Sequence, residues 1–176
     1  MRHILVMGVC GVGKSTVAQA IARELNARFV EADSYHPPEN ISRMSRGEPL
    51  TDELRAGWLD AVAGAVANSE DVAVMACSAL KQSYRDRLAA TLGDIIIIHL
   101  DGDRDLLVER MSQREDHFMP TSLIDSQFAD LERPEGPFVV RLDVMESPDA
   151  VISKAIDFIN GAKSAPQSDL LKGRTS

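Results

Sequence analysis

The sequence predicts an α/β fold in which one parallel sheet of about five strands carries helices on both faces. Three observations support it. Short, nearly continuous apolar runs recur along the chain, amphipathic helical stripes separate them, and a glycine-rich loop joins the first run to the first stripe. Strands buried on both faces require runs that are apolar throughout, not alternating. Strand–helix alternation implies a doubly wound sheet with right-handed crossovers, whose ligands bind at the carboxyl ends of the strands.

The candidate strands are residues 3–7, 28–31, 72–76, 95–100 and 138–142. Between them, apolar residues recur every four positions, as one face of a helix requires. Val17, Ile21 and Leu25 form the first stripe, and Leu54, Trp58, Val62 and Val66 the second. Leu80, Tyr84, Leu88 and Leu92 form the third, and Val151, Ile152, Ala155, Ile156 and Ile159 the last. A length of 176 residues suits one domain, read here as residues 1–163 with a lid around 112–122. Residues 164–176 are rich in Ser, Pro, Gln, Gly and charge without periodicity, and read as a flexible C-terminal tail.

The net charge of −8 argues against a broad nucleic-acid-binding surface, which needs clustered cations. No apolar stretch approaches the length of a membrane span, and the N-terminus runs directly into the first strand without a signal peptide. Cys10 and Cys77 each lie beside an apolar run, which reads as reduced thiols in a cytoplasmic enzyme.

Gly8-Val9-Cys10-Gly11-Val12-Gly13-Lys14-Ser15 matches the Walker A pattern in its proper place, after a strand and before a helix. Backbone N–H groups must converge on a polyphosphate there, and Gly8, Gly11 and Gly13 permit the backbone angles and the close approach. The helix N-terminus adds partial positive charge. Lys14 is placed for the β- and γ-phosphates of ATP and Ser15 for Mg²⁺, with Val12 and Thr16 completing the cradle. The motif therefore predicts a P-loop NTPase fold that binds a nucleoside triphosphate, and the size favours a metabolite kinase over a motor. No guanine-reading N-K-x-D motif is present.

On the acceptor side, the second strand ends in Glu31-Ala32-Asp33. A carboxylate there can accept or orient the proton of an attacking hydroxyl, the role assigned to Asp33. The alternative is that Asp33 caps the following helix. His36 precedes two prolines on a stiff turn and reads either as a substrate contact or as a bland loop histidine. Lys81 and Arg85 are four residues apart and would share a helical face able to hold a carboxylate, unless that face is merely solvated. Arg110 and Arg114 have the same spacing before the irregular segment 115–120. They read as lid cations that reach the ATP phosphates on closure, or as partners of Asp105, Glu109 or Asp116.

Together these residues resemble the gluconate kinases. The resemblance rests on residues 8–16, Ala32-Asp33-Ser34-Tyr35-His36-Pro37, residues 40–44 with Gly47-Glu48-Pro49-Leu50, and Asp52, Arg55, Trp58 and Leu59. It continues through Cys77-Ser78-Ala79-Leu80-Lys81, Tyr84-Arg85-Asp86, Arg114-Glu115, His117-Phe118-Met119, Gln127-Phe128 and Leu131-Glu132. The resemblance implies a nucleoside-monophosphate-kinase-like fold with a lid, similar to shikimate kinase. It also implies transfer of the ATP γ-phosphate to the 6-hydroxyl of D-gluconate with Mg²⁺, in a cytoplasmic homodimer. Lys14, Asp33 and Arg110 would be catalytic. Lys81, Arg85 and His36, with Arg43, Arg55, His117 and Gln127 behind them, would meet gluconate. Ser15 would hold Mg²⁺, with Asp33 or Glu31 through water. This sequence departs from the family pattern at Cys10 and Val12, often serine, at Glu31, usually aspartate, and at Thr51, commonly asparagine. Two other readings remain open: a kinase of another hydroxy acid or polyol, and a non-kinase NTP-binding ATPase.

Overall fold

A computed structural model describes residues 2–69, 71–112 and 121–164. Its sheet has five parallel strands: β1 (His3–Met7), β2 (Arg28–Glu31), β3 (Ala73–Ala76), β4 (Ile95–Asp101) and β5 (Val139–Asp143). Their order is β2-β3-β1-β4-β5. Each expected strand is present, with ends shifted by one residue at β3, β4 and β5. The helices are α1 (Lys14–Glu24), α2 (Pro38–Ser45), α3 (Asp52–Ala67), α4 (Gln82–Leu92), α5 (Arg104–Ser112), α6 (Thr121–Asp130) and α7 (Pro148–Ser164).

Side chains on successive strand residues point to opposite faces, and the core divides accordingly. Ile4, Val6, Val74, Ile96 and Ile98 pack with Val17 and Ile21 of α1, Leu107 of α5 and Val151, Ala155 and Ile159 of α7. Leu5, Met7, Ala73, Met75 and Ile95 pack with Trp58, Leu59, Val62 and Val66 of α3 and Tyr84 and Leu88 of α4. Both faces of the sheet are covered, which is why the inner strands β1, β3 and β4 are apolar along most of their length, whereas the edge strands β2 and β5 carry Arg28, Glu31, Arg141 and Asp143.

One stripe is not what its spacing suggests. Leu80 precedes α4 and packs on the opposite side of the sheet from Tyr84 and Leu88. Ala79 takes a left-handed conformation, φ 39°, so the chain turns before the helix begins. Lys81 is the N-cap, in an extended conformation. The spacing of Lys81 and Arg85 therefore does not place them on one helical face.

β1 lies at the centre of the sheet. Its connection runs toward the β2 edge, whereas the connection from β3 crosses β1 to reach β4. This reversal opens a crevice at the carboxyl end of β1, where the glycine-rich loop sits.

Candidate active site

The loop between β1 and α1 is shaped by close packing. A Cβ on Gly8, whose φ is 145°, would lie 2.4 Å from the carbonyl oxygen of Leu100 on β4. A Cβ on Gly11 would lie 3.0 Å from Met111 of α5. Gly13, at φ 90°, is the N-cap of α1 and would meet nothing within 4 Å. The first turn of α1 has no side-chain cap and no acidic residue. Its N–H groups and partial positive charge are thus left for an anion. Val12 turns its side chain into the core, which leaves its backbone for the cradle. Ser15 is half-buried and Thr16 exposed on the first turn of the helix.

Lys14 is half-buried and donates to the carbonyl oxygen of Val9 at 3.0 Å. Burial pulls its pKa below the ordinary lysine value, while Asp33, Cys10, Cys77 and Glu31 oppose that shift. These same groups mark the site: the glycine-rich loop, the end of β2 and the end of β3 converge on Lys14. Burial pushes the Cys77 thiol up to about 12, so it stays protonated and packs as an apolar group. Both cysteines are free.

Asp33 lies on a short 3₁₀ turn, Ala32–Tyr35, beyond β2, with its side chain 78 % exposed. It caps neither that turn nor α2, whose N-cap positions are Glu31 and Pro37 and lack side-chain capping bonds. The turn is anchored from α3, where Trp58 Nε1 donates to the carbonyl oxygen of Ala32 at 2.7 Å. His36 is not placed as an open substrate contact. Its side chain is only 5 % exposed, stacked on Trp58 at 4.2 Å between ring centroids, and Nδ1 is 3.3 Å from Asn40 Nδ2.

A second polar group joins α3, the start of α4 and the end of α6. Tyr84 donates to Asp52, and Arg55 donates to the Tyr84 hydroxyl at 2.8 Å. Lys81 reaches Asp52 at 3.0 Å and Asp130 at 3.8 Å, and Arg55 reaches Asp130 at 3.5 Å. The Tyr84 hydrogen bond and the Lys81 ammonium hold Asp52 below the usual carboxylate range. Lys81 and Arg55 are thus brought together, and Asp52, Tyr84 and Asp130 are members that the sequence reading missed. The (i, i+3) pair Asp52–Arg55 was the available signal; the Asp130 contact spans 75 residues and has none.

Arg85 belongs elsewhere. It is 2 % exposed, and Nη1 donates at 2.9 Å to the carbonyl oxygens of both Ala79 and Leu80. Its guanidinium braces the turn made by Ala79, where a helical register would have left it open to a ligand. Glu132 strengthens the same turn: its carboxylate accepts from Gln82 N at 2.6 Å, and its N–H donates to Leu80 O at 3.0 Å. Arg43 is paired with Glu39 and Glu48 on the surface. The side-chain Oε1 of Gln127 accepts from the N–H of Cys10 at 2.7 Å, which ties α6 to the glycine-rich loop. Arg110 does not lie on the phosphate cradle in this structure; it donates to Val144 O, just beyond β5, at 2.9 Å. Arg114 and His117 fall outside the described residues, as do most of the expected lid and residues 165–176 of the expected tail.

The donor set suits Mg²⁺, which prefers one or two protein oxygens together with phosphate and water. Ser15 offers a hydroxyl beside the cradle, and Glu31 and Asp33 offer carboxylates that act on the neighbouring Lys14. Among the described residues no cluster of three or more His, Cys, Asp or Glu could form an all-protein metal cage. No helix among them is long and apolar enough to cross a membrane.

Residues 4–143 match the AAA domain family, in keeping with the nucleotide-binding loop. The chain is 43% identical over 160 residues to a gluconokinase of Gluconobacter oxydans, covering 88% of this chain and 89% of that protein. A crystal structure of a gluconokinase from Sinorhizobium meliloti superposes with a TM-score of 0.85 at 42% identity, covering 92% of this chain and 93% of that one. A shikimate kinase from Bacteroides thetaiotaomicron shares the fold alone, with a TM-score of 0.61 at 17% identity over 90% of this chain and 98% of that one. Similarity of this strength across nearly the whole length, joined to the glycine-rich loop at the carboxyl end of β1, places the chain in the gluconokinase family of P-loop kinases.

Proposed function

We propose that this protein transfers the γ-phosphate of ATP to the 6-hydroxyl of D-gluconate, giving 6-phosphogluconate. The observation that carries the reading is the convergence of Lys14 on the glycine-rich loop with Asp33 at the end of β2. The backbone cradle and Lys14 would stabilise charge on the transferring phosphoryl group. Asp33 would take or orient the proton of the attacking hydroxyl. Mg²⁺, held by Ser15 with Asp33 or Glu31 through water, would supply charge neutralisation of the phosphates when bound.

Gluconate carries its carboxylate at the end opposite the reacting hydroxyl. Lys81 and Arg55 supply cations on the acceptor side, with Asp52, Tyr84 and Asp130 as acceptors and donors for hydroxyl groups. Arg110 and Arg114 remain proposed as phosphate contacts in a closed state; that role requires Arg110 to exchange its bond to Val144 O. Free thiols, one of them buried, and the use of ATP support a cytoplasmic setting. The family resemblance supports a homodimer, and the negative charge supports a small-molecule partner over nucleic acid.

The test is steady-state kinetics on gluconate, glucose and sorbitol with the parent enzyme and Asp33→Asn. A charge-assisted contact to the carboxylate is worth about 2 kcal/mol over a neutral hydroxymethyl group, or roughly thirtyfold in kcat/KM. Gluconate should lead by at least that margin, and Asp33→Asn should bind ATP without transferring phosphate. Equal use of sorbitol would remove the substrate assignment; full turnover of Asp33→Asn would remove the role of Asp33.

A further inference from the structure

Asn40 is the least exposed polar residue on the acceptor side, at 1 %. It lies on α2, four residues after His36, and its Nδ2 has two partners: Leu54 O at 3.2 Å and His36 Nδ1 at 3.3 Å. A backbone carbonyl only accepts, so the nitrogen end of the amide must face Leu54. The same nitrogen then donates its second hydrogen to His36, and Nδ1 must be the unprotonated ring nitrogen. An imidazole whose Nδ1 accepts a hydrogen bond carries its one proton on Nε2. Nε2 in turn is 3.8 Å from Asp33 Oδ1. The ring cannot swing away, because it is stacked on Trp58, and Trp58 is itself bonded to the backbone of the turn that carries Asp33.

We infer that Asn40 and His36 are positioning residues for Asp33: Asn40 fixes His36 as the Nε2–H tautomer, and that N–H orients the exposed carboxylate toward the acceptor. The chain of contacts runs from Leu54 O through Asn40 and His36 to Asp33, and only the last member is open to substrate. A distance of 3.8 Å is longer than a hydrogen bond, and contacts of this kind tighten when the substrate is bound. Nε2–H stabilises an ionised carboxylate, whereas an unprotonated Nε2 would repel it. The tautomer therefore decides whether the carboxylate is steered or displaced. The inference rests on the reading of Asp33 as the group that receives or orients the acceptor hydroxyl.

The test uses the whole enzyme and three variants. His36→Phe keeps a ring for Trp58 but has no N–H, and His36→Gln can place an amide N–H near the position of Nε2. His36→Phe should lose about ten- to a hundredfold in kcat, the scale of a misplaced reacting group. KM for ATP and for gluconate should change little, and His36→Gln should restore most of the loss. A rise in the gluconate KM at unchanged kcat would make His36 a substrate contact and overturn the inference. Unchanged kinetics of His36→Phe would also overturn it. If His36→Phe does not fold, imidazole ¹⁵N–¹H correlation spectra of the parent enzyme decide: a proton on Nε2 supports the inference, and a proton on Nδ1 overturns it. The third variant, Asp33→Asn, separates the two readings. Its full activity would remove the role of Asp33 itself, whereas an inactive Asp33→Asn beside a fully active His36→Phe would remove only the relay.

Discussion

At the scale of single residues, burial decides between side chains of the same charge. Lys81 and Arg85 read alike in the sequence, as cations at the mouth of the site. Lys81 is partly exposed and engages carboxylates from two other helices, whereas Arg85 is buried and spends Nη1 on two backbone carbonyls. Its Nε has no hydrogen-bond partner among the described residues. Desolvation pulls its pKa below the ordinary arginine value, which a ligand cation open to water would not show. Arg85→Ala is therefore expected to act through stability. The buried Ala79 carbonyl would lose the Arg85 donor, Leu80 O would keep only the Glu132 N–H, and a cavity would remain, at a cost of about 2–4 kcal/mol. Chemical denaturation should show a lower midpoint at unchanged slope. Unchanged stability with a raised gluconate KM would return Arg85 to the substrate.

At the scale of elements, the loop between β1 and α1 depends on one contact with a strand 92 residues away. Gly8 packs against Leu100 O so closely that any Cβ meets backbone, which cannot rotate aside. Gly8→Ala should cost at least about 2 kcal/mol from strain at that φ alone. It should also displace the loop and weaken ATP binding. Calorimetric titration with ATP and denaturant unfolding would check both; parental values in both would show that the loop yields without cost. Thr51 also finds its reason at this scale. It is the N-cap of α3, with its hydroxyl accepting from Leu54 N at 3.4 Å, a position that asparagine fills equally well. The departure from the family pattern is thus a change of cap within the preferred set.

For the whole molecule, the buried histidines set a pH dependence. Burial pushes His3, His36 and His99 below the ordinary value of 6.5. The unfolded chain binds more protons than the native one as pH falls through that range, so stability is full above 6.5 and is lost below it. Asp52, Asp60 and Asp125 are held below the usual carboxylate range by their partners: Tyr84 with Lys81, Arg87, and Arg104. Their contribution is present above the ordinary carboxylate pKa and fades as pH falls through the depressed values. Thermal unfolding from about pH 8 to about pH 2 should show a Tm that is level at first, declines below about 6.5 and falls further below about 4. A level Tm down to about pH 5 would contradict the burial of these imidazoles.

Local patterns determined much of this protein. Apolar runs placed all five strands within a residue, because an inner strand buried on both faces is apolar along most of its length and even the edge strands keep an apolar pair. The glycine-rich loop was legible because phosphate binding needs consecutive backbone positions, and the place of Asp33 just beyond β2 because a strand's carboxyl end follows from where its apolar run stops. Tertiary structure decided the fate of polar side chains. The turn at Ala79 removed Lys81 and Arg85 from a common face, a backbone event that spacing alone cannot show. The cluster of Asp52, Arg55, Lys81, Tyr84 and Asp130 unites three helices across long separations. Asn40 and His36 stand four apart in the sequence, yet their orientation beneath Asp33 depends on Trp58 and Leu54 from another helix. Hydrogen bonds and burial act between neighbours in space, and only the fold selects which residues become neighbours.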